Sequence, residues 1–347
     1  EYINKKSKFL KNYNKISTLV LVKNDSGIFF WMNILFCIKN GYTCFPINSS
    51  YKLNELKYYY KTIITLNKKR VSIKINKKHI INKNTKEFNF ISSTSGSTGK
   101  PKLILLKLKN IISNVKKVRD FCEIEKNKNY LIAVPGYFYS AILHFFTALV
   151  SGSKFIHIEK KIFPLDLFNI LKKLSINYFG GPPIHNKWII ESENNLNNIE
   201  KIFSSGDFLD EKTILKYKYK KKNYDFYYMY GITEASGRIC INNLKKSNQL
   251  NSVGKALSLY KIFFKNDDIY IKSNNLFYGY FFENNFERIN SNIYQTGDKG
   301  YKVKKDNIIL RGRKDDVFKS SGIKIFTQQI RNSLLDTNLF NDVYVYK

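Results

Sequence analysis

The chain has 347 residues, 43% of them hydrophobic, and its 59 Lys and Arg against 27 Asp and Glu give a formal net charge of +32. Length and apolar content support a well-buried core in one large domain or two, and the intact apolar periodicity excludes a disordered chain. The charge would suit nucleic acid or an anionic surface, but the lysines are scattered beside abundant Asn, Ile, Phe and Tyr. All these residues have A/T-rich codons, so base composition accounts for the excess and no specific nucleic-acid partner is expected.

Cys37, Cys44, Cys122 and Cys240 are dispersed without a Cys-x-x-Cys pair, which excludes a disulfide framework or a cysteine zinc site and points to a reducing, cytoplasmic setting. His79, His144, His157 and His185 are equally isolated. The longest apolar run, 28–38, is interrupted by Asn33 and is too short to span a bilayer. The chain opens with Glu1 rather than Met, as a fragment would.

In chain order, 18–23 reads as a strand, and Gly27 starts a buried helix that Gly41 ends. Residues 42–47 return as a strand, and this strand–helix–strand order argues for α/β layering. Residues 51–86 are Lys/Asn-rich, with short apolar runs at 62–66 and 71–75, and read as peripheral. Strand-like runs at 88–91 and 103–106 flank a polar loop, and 107–121 is helical in pattern. Further β–α steps follow: strand 131–134, helix 140–150, strand 154–158, a helix opened by Pro164, and strand 177–179 before Gly180-Gly181-Pro182-Pro183. They predict a mostly parallel, covered sheet. Strands at 199–203 and 225–229 end in polar turns, where open α/β sheets bind ligands. Beyond residue 250 short strands and turns dominate until a helix at 327–335.

The polar loop, 94–102, reads Thr-Ser-Gly-Ser-Thr-Gly-Lys-Pro-Lys. Gly96 and Gly99 let the backbone approach a ligand, successive N–H groups form an anion-binding concavity, and Lys102 adds charge. A loop that wraps a polyphosphate and a flexible Ser/Gly hairpin are both open on this composition. It is not a Walker loop, because only Ser97 and Thr98 separate Gly96 from Gly99.

Four later stretches stand out: Tyr-Gly-Ile-Thr-Glu at 230–234, Asn-Ser-Val-Gly-Lys-Ala at 251–256, Tyr-Gln-Thr-Gly-Asp at 294–298, and Gly-Arg-Lys-Asp-Asp-Val-Phe-Lys-Ser-Ser-Gly at 312–322. With the loop and with Asn-Gly-Tyr-Thr-Cys-Phe-Pro-Ile at 40–47, their order resembles the adenylate-forming superfamily. That superfamily comprises acyl- and aryl-CoA synthetases, luciferases and nonribosomal-peptide adenylation domains. The style of Glu-Ala-Ser-Gly-Arg at 234–238 is similar to bacterial AMP-dependent acyl synthetases. Leu103 stands where most members have Gly.

The resemblance implies an α/β fold. A large N-terminal domain of layered α/β subdomains with a small barrel-like β part would cover 1–313. A partial α+β C-terminal domain would cover 314–347, with Asp315 as the hinge. It implies ATP, Mg²⁺, a small carboxylic acid, and CoA or a carrier-protein phosphopantetheine as acceptor. Thr94, Ser95, Gly96, Ser97, Thr98, Gly99 and Lys102 would hold the β- and γ-phosphates, and Thr233 the α-phosphate. Glu234 would ligate the metal. Tyr230 and Gly231 would lie against adenine, Asp207 along its edge, Asp298 on the ribose hydroxyls and Arg313 on ribose or phosphate. Lys319 matches a lysine some members use in the second step; a surface lysine is the alternative. Phe138, Tyr139, Gly181 and Pro182 would border the acyl pocket, and the absence of an acid at 138–140 favours a simple acid over an α-amino acid.

Members also carry a lysine well beyond the hinge that contacts the developing adenylate charge, and no Ser-Gly-Lys-like motif stands between Asp315 and Lys347. Three readings follow: a shortened active ligase, a nucleotide- or acyl-binding relative completed by another chain, or a basic nucleic-acid-binding protein.

Overall fold

The computed structural model describes all residues other than 1, 12, 25–26, 52–59, 68–70, 78–87, 95–101, 160–161, 193–195, 221, 283–284, 321–322, 338, 341–342, 344 and 346–347. After a first helix, α1 (Tyr2–Leu10), the run Thr-Leu-Val-Leu-Val-Lys forms β1 (Thr18–Lys23). Its side chains alternate between two apolar clusters: Val20 and Val22 enter one, Leu19 and Leu21 the other. A strand buried on both faces reads as this continuous apolar run. The buried helix α2 (Ile28–Asn40) follows. Gly41 ends it with φ 70°, and backbone N–H groups close onto the carbonyls of Cys37 and Ile38, the left-handed stop that glycine adopts at little cost.

The remaining strands of the first half are β2 (Thr43–Ile47), β3 (Thr62–Leu66), β4 (Val71–Ile75), β5 (Phe90–Thr94) and β6 (Lys102–Leu106). After α3 (Leu108–Phe121) come β7 (Asn129–Ile132), α4 (Tyr139–Ser151), β8 (Lys154–His157), α5 (Pro164–Lys173), β9 (Tyr178–Gly181), α6 (Pro183–Glu191), β10 (Lys201–Ser205), α7 (Glu211–Tyr219), β11 (Asp225–Ile232), β12 (Gly237–Asn243) and β13 (Lys255–Ala256). The last part holds β14 (Lys261–Lys265), β15 (Asp268–Lys272), β16 (Gly279–Phe282), β17 (Asn285–Arg288), β18 (Ile293–Val303), β19 (Asn307–Arg313), β20 (Val317–Ser320), β21 (Ile323–Phe326) and α8 (Thr327–Asp336).

Two large sheets result. One has the order β17-β16-β6-β5-β2-β1-β3-β4, the other β13-β12-β11-β10-β9-β7-β8. The first is parallel at its centre and antiparallel at both margins, as in β5–β6, β6–β16 and β3–β4, whereas the second is parallel from β11 to its β8 edge and antiparallel only at β11–β12 and β12–β13. The mostly parallel sheet predicted from the β–α steps is the second of these, in which β8, β7, β9, β10 and β11 are all parallel neighbours. Residues 51–86, by contrast, are not all peripheral. β3 pairs in parallel with β1 inside the first sheet and is buried at four of its five positions; its flanking Lys and Asn residues obscure that in the sequence. Trp31 of α2 stacks on Phe145 of α4, and Phe90 of β5 meets Phe146, so α2 and α4 join the two sheets in one apolar core.

A third sheet, β14-β15-β18-β19, is an antiparallel meander, and β20–β21 is a separate hairpin. Among the described residues no helix is long and apolar enough to cross a membrane.

The chain reverses between β11 and β12 through a one-turn 3-10 helix, Thr233–Ala235. Ser236 is left-handed at φ 58°, and Gly237 has φ 152°. A Cβ on Gly237 would fall 2.1 Å from Asn114 Oδ1, so only glycine lets α3 come this close. Asn114, fully buried, accepts from the Arg238 N–H at 2.9 Å. Its Nδ2 donates to the Arg238 carbonyl at 2.7 Å and to the Tyr260 hydroxyl at 2.9 Å. Asn114→Ala strands these buried groups and is expected to lower stability by about 2–4 kcal/mol, read from urea denaturation; a loss below about 0.5 kcal/mol would contradict this role.

Candidate nucleotide cleft

The C-terminal ends of β10 and β11 face the third sheet across a cleft of about 310 Å³. Gly206, Asp207 and Phe208 border one side, Tyr228 to Ile232 the floor, and Asp298, Gly312, Arg313 and Asp316 the other side. Of the expected turn at 230–234, the first three residues are the last part of a strand, and only Thr233 and Glu234 lie in the turn. β11 runs to Ile232, so Tyr230 and Gly231 are held by pairing with Cys240 and Arg238 of β12.

Register explains the central cluster. β18 and β19 set Asp298 opposite Arg313. Arg313 Nη1 donates to Asp298 Oδ1 at 3.0 Å and to the Thr296 carbonyl at 3.3 Å. The Tyr230 hydroxyl donates to Asp298 Oδ2 at 2.6 Å, and the Asp298 N–H is held by Thr296 Oγ1 at 3.1 Å. Tyr230 and Asp298 are buried, while Arg313 is exposed on its outer side. Burial pushes the Asp298 carboxyl above the usual carboxylate range, with Arg313 and Tyr230 pulling it back in part. A carboxylate has about four acceptor positions, so each oxygen of Asp298 keeps capacity beyond the bond it makes here.

Glu234 lies in the turn after β11, within electrostatic reach of Arg313 and Asp298. Burial raises its pKa, opposed by hydrogen bonds that include the Tyr280 hydroxyl, which donates to Oε1 at 2.9 Å. Tyr280 shares a 2.6 Å hydrogen bond with Tyr294, and its ring lies 5.8 Å from Lys102 Nζ. Lys102 opens β6 opposite Thr94, the last residue of β5. Residues 95–101 thus join β5 to β6, and β6 packs against the Thr233–Ala235 turn. Ser95, Gly96, Ser97, Thr98 and Gly99 lie outside the described residues.

The other predicted residues are more dispersed. Asp207 follows Gly206, φ 97°, and its Oδ1 accepts from the Phe208 N–H at 2.7 Å. Thr233 opens the 3-10 turn. Tyr139 is the first residue of α4, with a buried hydroxyl that no partner satisfies. Phe138 is 47% exposed, its ring edge-on to Tyr137. Gly181 ends β9 and Pro182 caps α6. Asp315 lies exposed in a short 3-10 turn, Lys314–Asp316. Lys319 lies on β20 opposite Lys324, and its side chain is outside the described residues.

Tyr280, Tyr294 and Thr296 were missed by the motif reading. Tyr294 and Thr296 belong to the Tyr-Gln-Thr-Gly-Asp stretch and could have been taken from it. Tyr280 has no motif; β16 brings it beside β6.

A family model described as "AMP-binding enzyme" matches residues 65–281. The 2-succinylbenzoate–CoA ligase of Haemophilus influenzae is 26% identical over 260 residues, covering 73% of this chain and 54% of that protein. The chain thus spans about half the length of that curated relative. Two solved structures of the o-succinylbenzoate CoA synthetase of Bacillus subtilis share the fold. The one with an acyl-adenylate intermediate has a TM-score of 0.76 at 17% identity, over 97% of this chain and 76% of that one. The one with ATP and magnesium ion has 0.75 at 17%, over 97% and 78%.

Because the Tyr280 hydroxyl lowers the Glu234 pKa, Tyr280→Phe should raise it further, measured by NMR titration of carbon-13-labelled glutamate; an unchanged or lowered value would contradict the contact. The sign for stability follows. Glu234 is raised above its ordinary 4.5, so its stabilising contribution is complete below about pH 4.5 and is lost as pH rises through the higher folded value. Tyr280→Phe would extend that window upward.

Proposed function

The chain belongs to the AMP-binding enzyme family, and from that premise we propose that it uses ATP to activate a carboxylic acid as an acyl-adenylate. A carboxylate oxygen attacks the α-phosphorus, the bond to the bridging oxygen breaks, and pyrophosphate leaves with the electron pair. A thiol of CoA or of a carrier-protein phosphopantetheine then takes the acyl group and AMP departs. The observation that carries this reading is the Tyr230–Asp298–Arg313 cluster lining the cleft, with Glu234 within electrostatic reach of Asp298 and Arg313.

Asp298, fixed by Arg313 and Tyr230, would accept from both ribose hydroxyls with its remaining lone pairs. Tyr230 and Gly231 would line the adenine, with Asp207 along its edge. Thr94 to Gly99 and Lys102 would surround the β- and γ-phosphates, because Lys102 lies by Tyr280 and β6 packs against the turn that holds Glu234. Thr233 would donate to the α-phosphate. The residues fit a magnesium ion. Glu234 is a hard oxygen donor whose burial raises its pKa, a bias that a divalent cation would reverse, and phosphate oxygens and water would complete the shell. When bound, the ion would neutralise charge on the phosphates.

The acid would enter beside Tyr139, Gly181 and Pro182, with Phe138 at the rim. We read residues 1–313 as the nucleotide-binding domain, with the four-stranded sheet as its small barrel-like β part, and 314–347 as the start of a second domain. The short Lys314–Asp316 turn between β19 and β20 supports Asp315 as the hinge, with Lys319 beyond it for the thiol step. The four cysteines are free and buried, which supports a reducing, cytoplasmic setting.

The test is carboxylate-dependent ATP–pyrophosphate exchange over fatty, aryl and amino acids. Exchange with one class is expected. Asp298→Asn should weaken ATP binding roughly 10- to 100-fold, the loss of about one or two charge-assisted hydrogen bonds. ATP binding without exchange would point to a partner-dependent relative, and unaltered ATP binding in Asp298→Asn would overturn the assignment.

A further inference from the structure

Arg238 is buried, at 6% exposure, yet its Nη2 has no hydrogen-bond partner. Among the described residues, none forms an ion pair with it, and the titratable groups facing it are Tyr130, Tyr139 and His144. The Tyr130 hydroxyl is bonded to His144 Nδ1 at 2.7 Å, and burial holds His144 neutral, its pKa pushed down to about 3, with Arg238 adding to the shift. Burying an uncompensated guanidinium costs several kcal/mol, and nothing in the nucleotide cleft uses this cation.

The guanidinium borders a cavity of about 10 Å³, also lined by Asn114, Tyr130, His144, Thr147 and Met229. That is room for one water-sized atom, such as a carboxylate oxygen. Its place relates it to the acyl side of the site. Met229 lines both this cavity and the nucleotide cleft. His144 rests on Gly180, where a Cβ would lie 2.8 Å from the ring, next to Gly181. Tyr139, whose hydroxyl is buried and unpartnered, lies within electrostatic reach of both Glu234 and Arg238. Tyr139 is thus in electrostatic reach of both the acid at the proposed reacting end and this buried, unpaired cation.

We propose that Arg238 is a specificity-determining residue that receives a second acidic group at the far end of the substrate, so that the preferred acid is a dicarboxylic acid rather than a plain aliphatic one. The inference rests on the acyl-adenylate reading of the cleft. A second carboxylate would neutralise the guanidinium, and the Tyr139 hydroxyl would supply a further donor. A hydrocarbon tail would leave the charge buried without a partner.

The experiment uses unreactive sulfamoyl-adenosine conjugates in matched pairs: butanoic with butanedioic acid, and hexanoic with hexanedioic acid. Calorimetric titration of the full chain should show the carboxylate-tipped member of at least one pair binding about 10-fold tighter or more, the worth of one charge-assisted hydrogen bond or better. Arg238→Met should abolish that preference while leaving the plain conjugate's affinity within about threefold; Arg238→Lys should keep part of it. Arg238→Met should also melt at or above the wild-type temperature, because no pair is broken. A fall of several degrees would make Arg238 a structural cation and overturn the proposal. Equal binding of both members of each pair would do the same while the nucleotide reading stands, and would leave water as the cavity's occupant. Failure of every conjugate to bind would overturn the nucleotide reading, and this inference with it.

Discussion

Asn114 holds the place where β11 turns back into β12, and both halves of the site hang on that reversal. Its side chain bonds the N–H and C=O of Arg238 and the hydroxyl of Tyr260, which in turn donates to the Ala235 carbonyl at 2.6 Å. These bonds are buried, so each is strengthened by low dielectric and costly to lose. They set the position of the Thr233–Ala235 turn, and with it the direction of Glu234. They also fix the strand register that puts Tyr230 in the cleft and Arg238 behind it. Gly237 is the residue whose missing Cβ makes the approach of α3 possible.

The charges around this turn are arranged unevenly. Asp298 and Arg313 compensate each other at the cleft wall, with Tyr230 completing the pair. Glu234 has hydroxyl donors and Lys102 nearby, but burial still raises its pKa. Arg238 has no anion among the described residues. A site meant only to be stable would pair or remove such groups. The two unbalanced ones, of opposite sign, both act electrostatically on Tyr139, and a cation at one and an acid at the other would balance them. The overall excess of lysine adds a positive background that favours anionic ligands, whereas the imbalance at these two positions is local.

The motifs made this cluster legible because each places several neighbouring residues within a few positions: Tyr230, Gly231, Thr233 and Glu234 in one, Thr296 and Asp298 in another. The α/β layering was legible for a similar local reason, since apolar runs and glycine stops such as Gly41 act within their own element. What the chain conceals is non-consecutive pairing. β16 joins β6 across more than 170 residues and brings Tyr280 to Glu234 and Lys102. β3, flanked by Lys and Asn, looks peripheral but pairs with β1 in the first sheet. Asn114 is one of several polar residues in an ordinary amphipathic helix, and nothing local tells it from Asn110 or Ser113. Arg238 was visible in the Glu-Ala-Ser-Gly-Arg stretch, but only its burial beside Tyr130 and His144 shows that it lacks a counter-ion.

The central claim is that this cleft binds ATP through Asp298 at the ribose and Glu234 at the metal. A crystal structure of the chain grown with ATP and magnesium tests it most directly. The account predicts both ribose hydroxyls within hydrogen-bonding distance of Asp298, adenine along Tyr230, a magnesium ion on Glu234, and the β- and γ-phosphates within the loop of residues 95–101. Nucleotide bound elsewhere, or bound here with Asp298 turned away from the ribose, would contradict it.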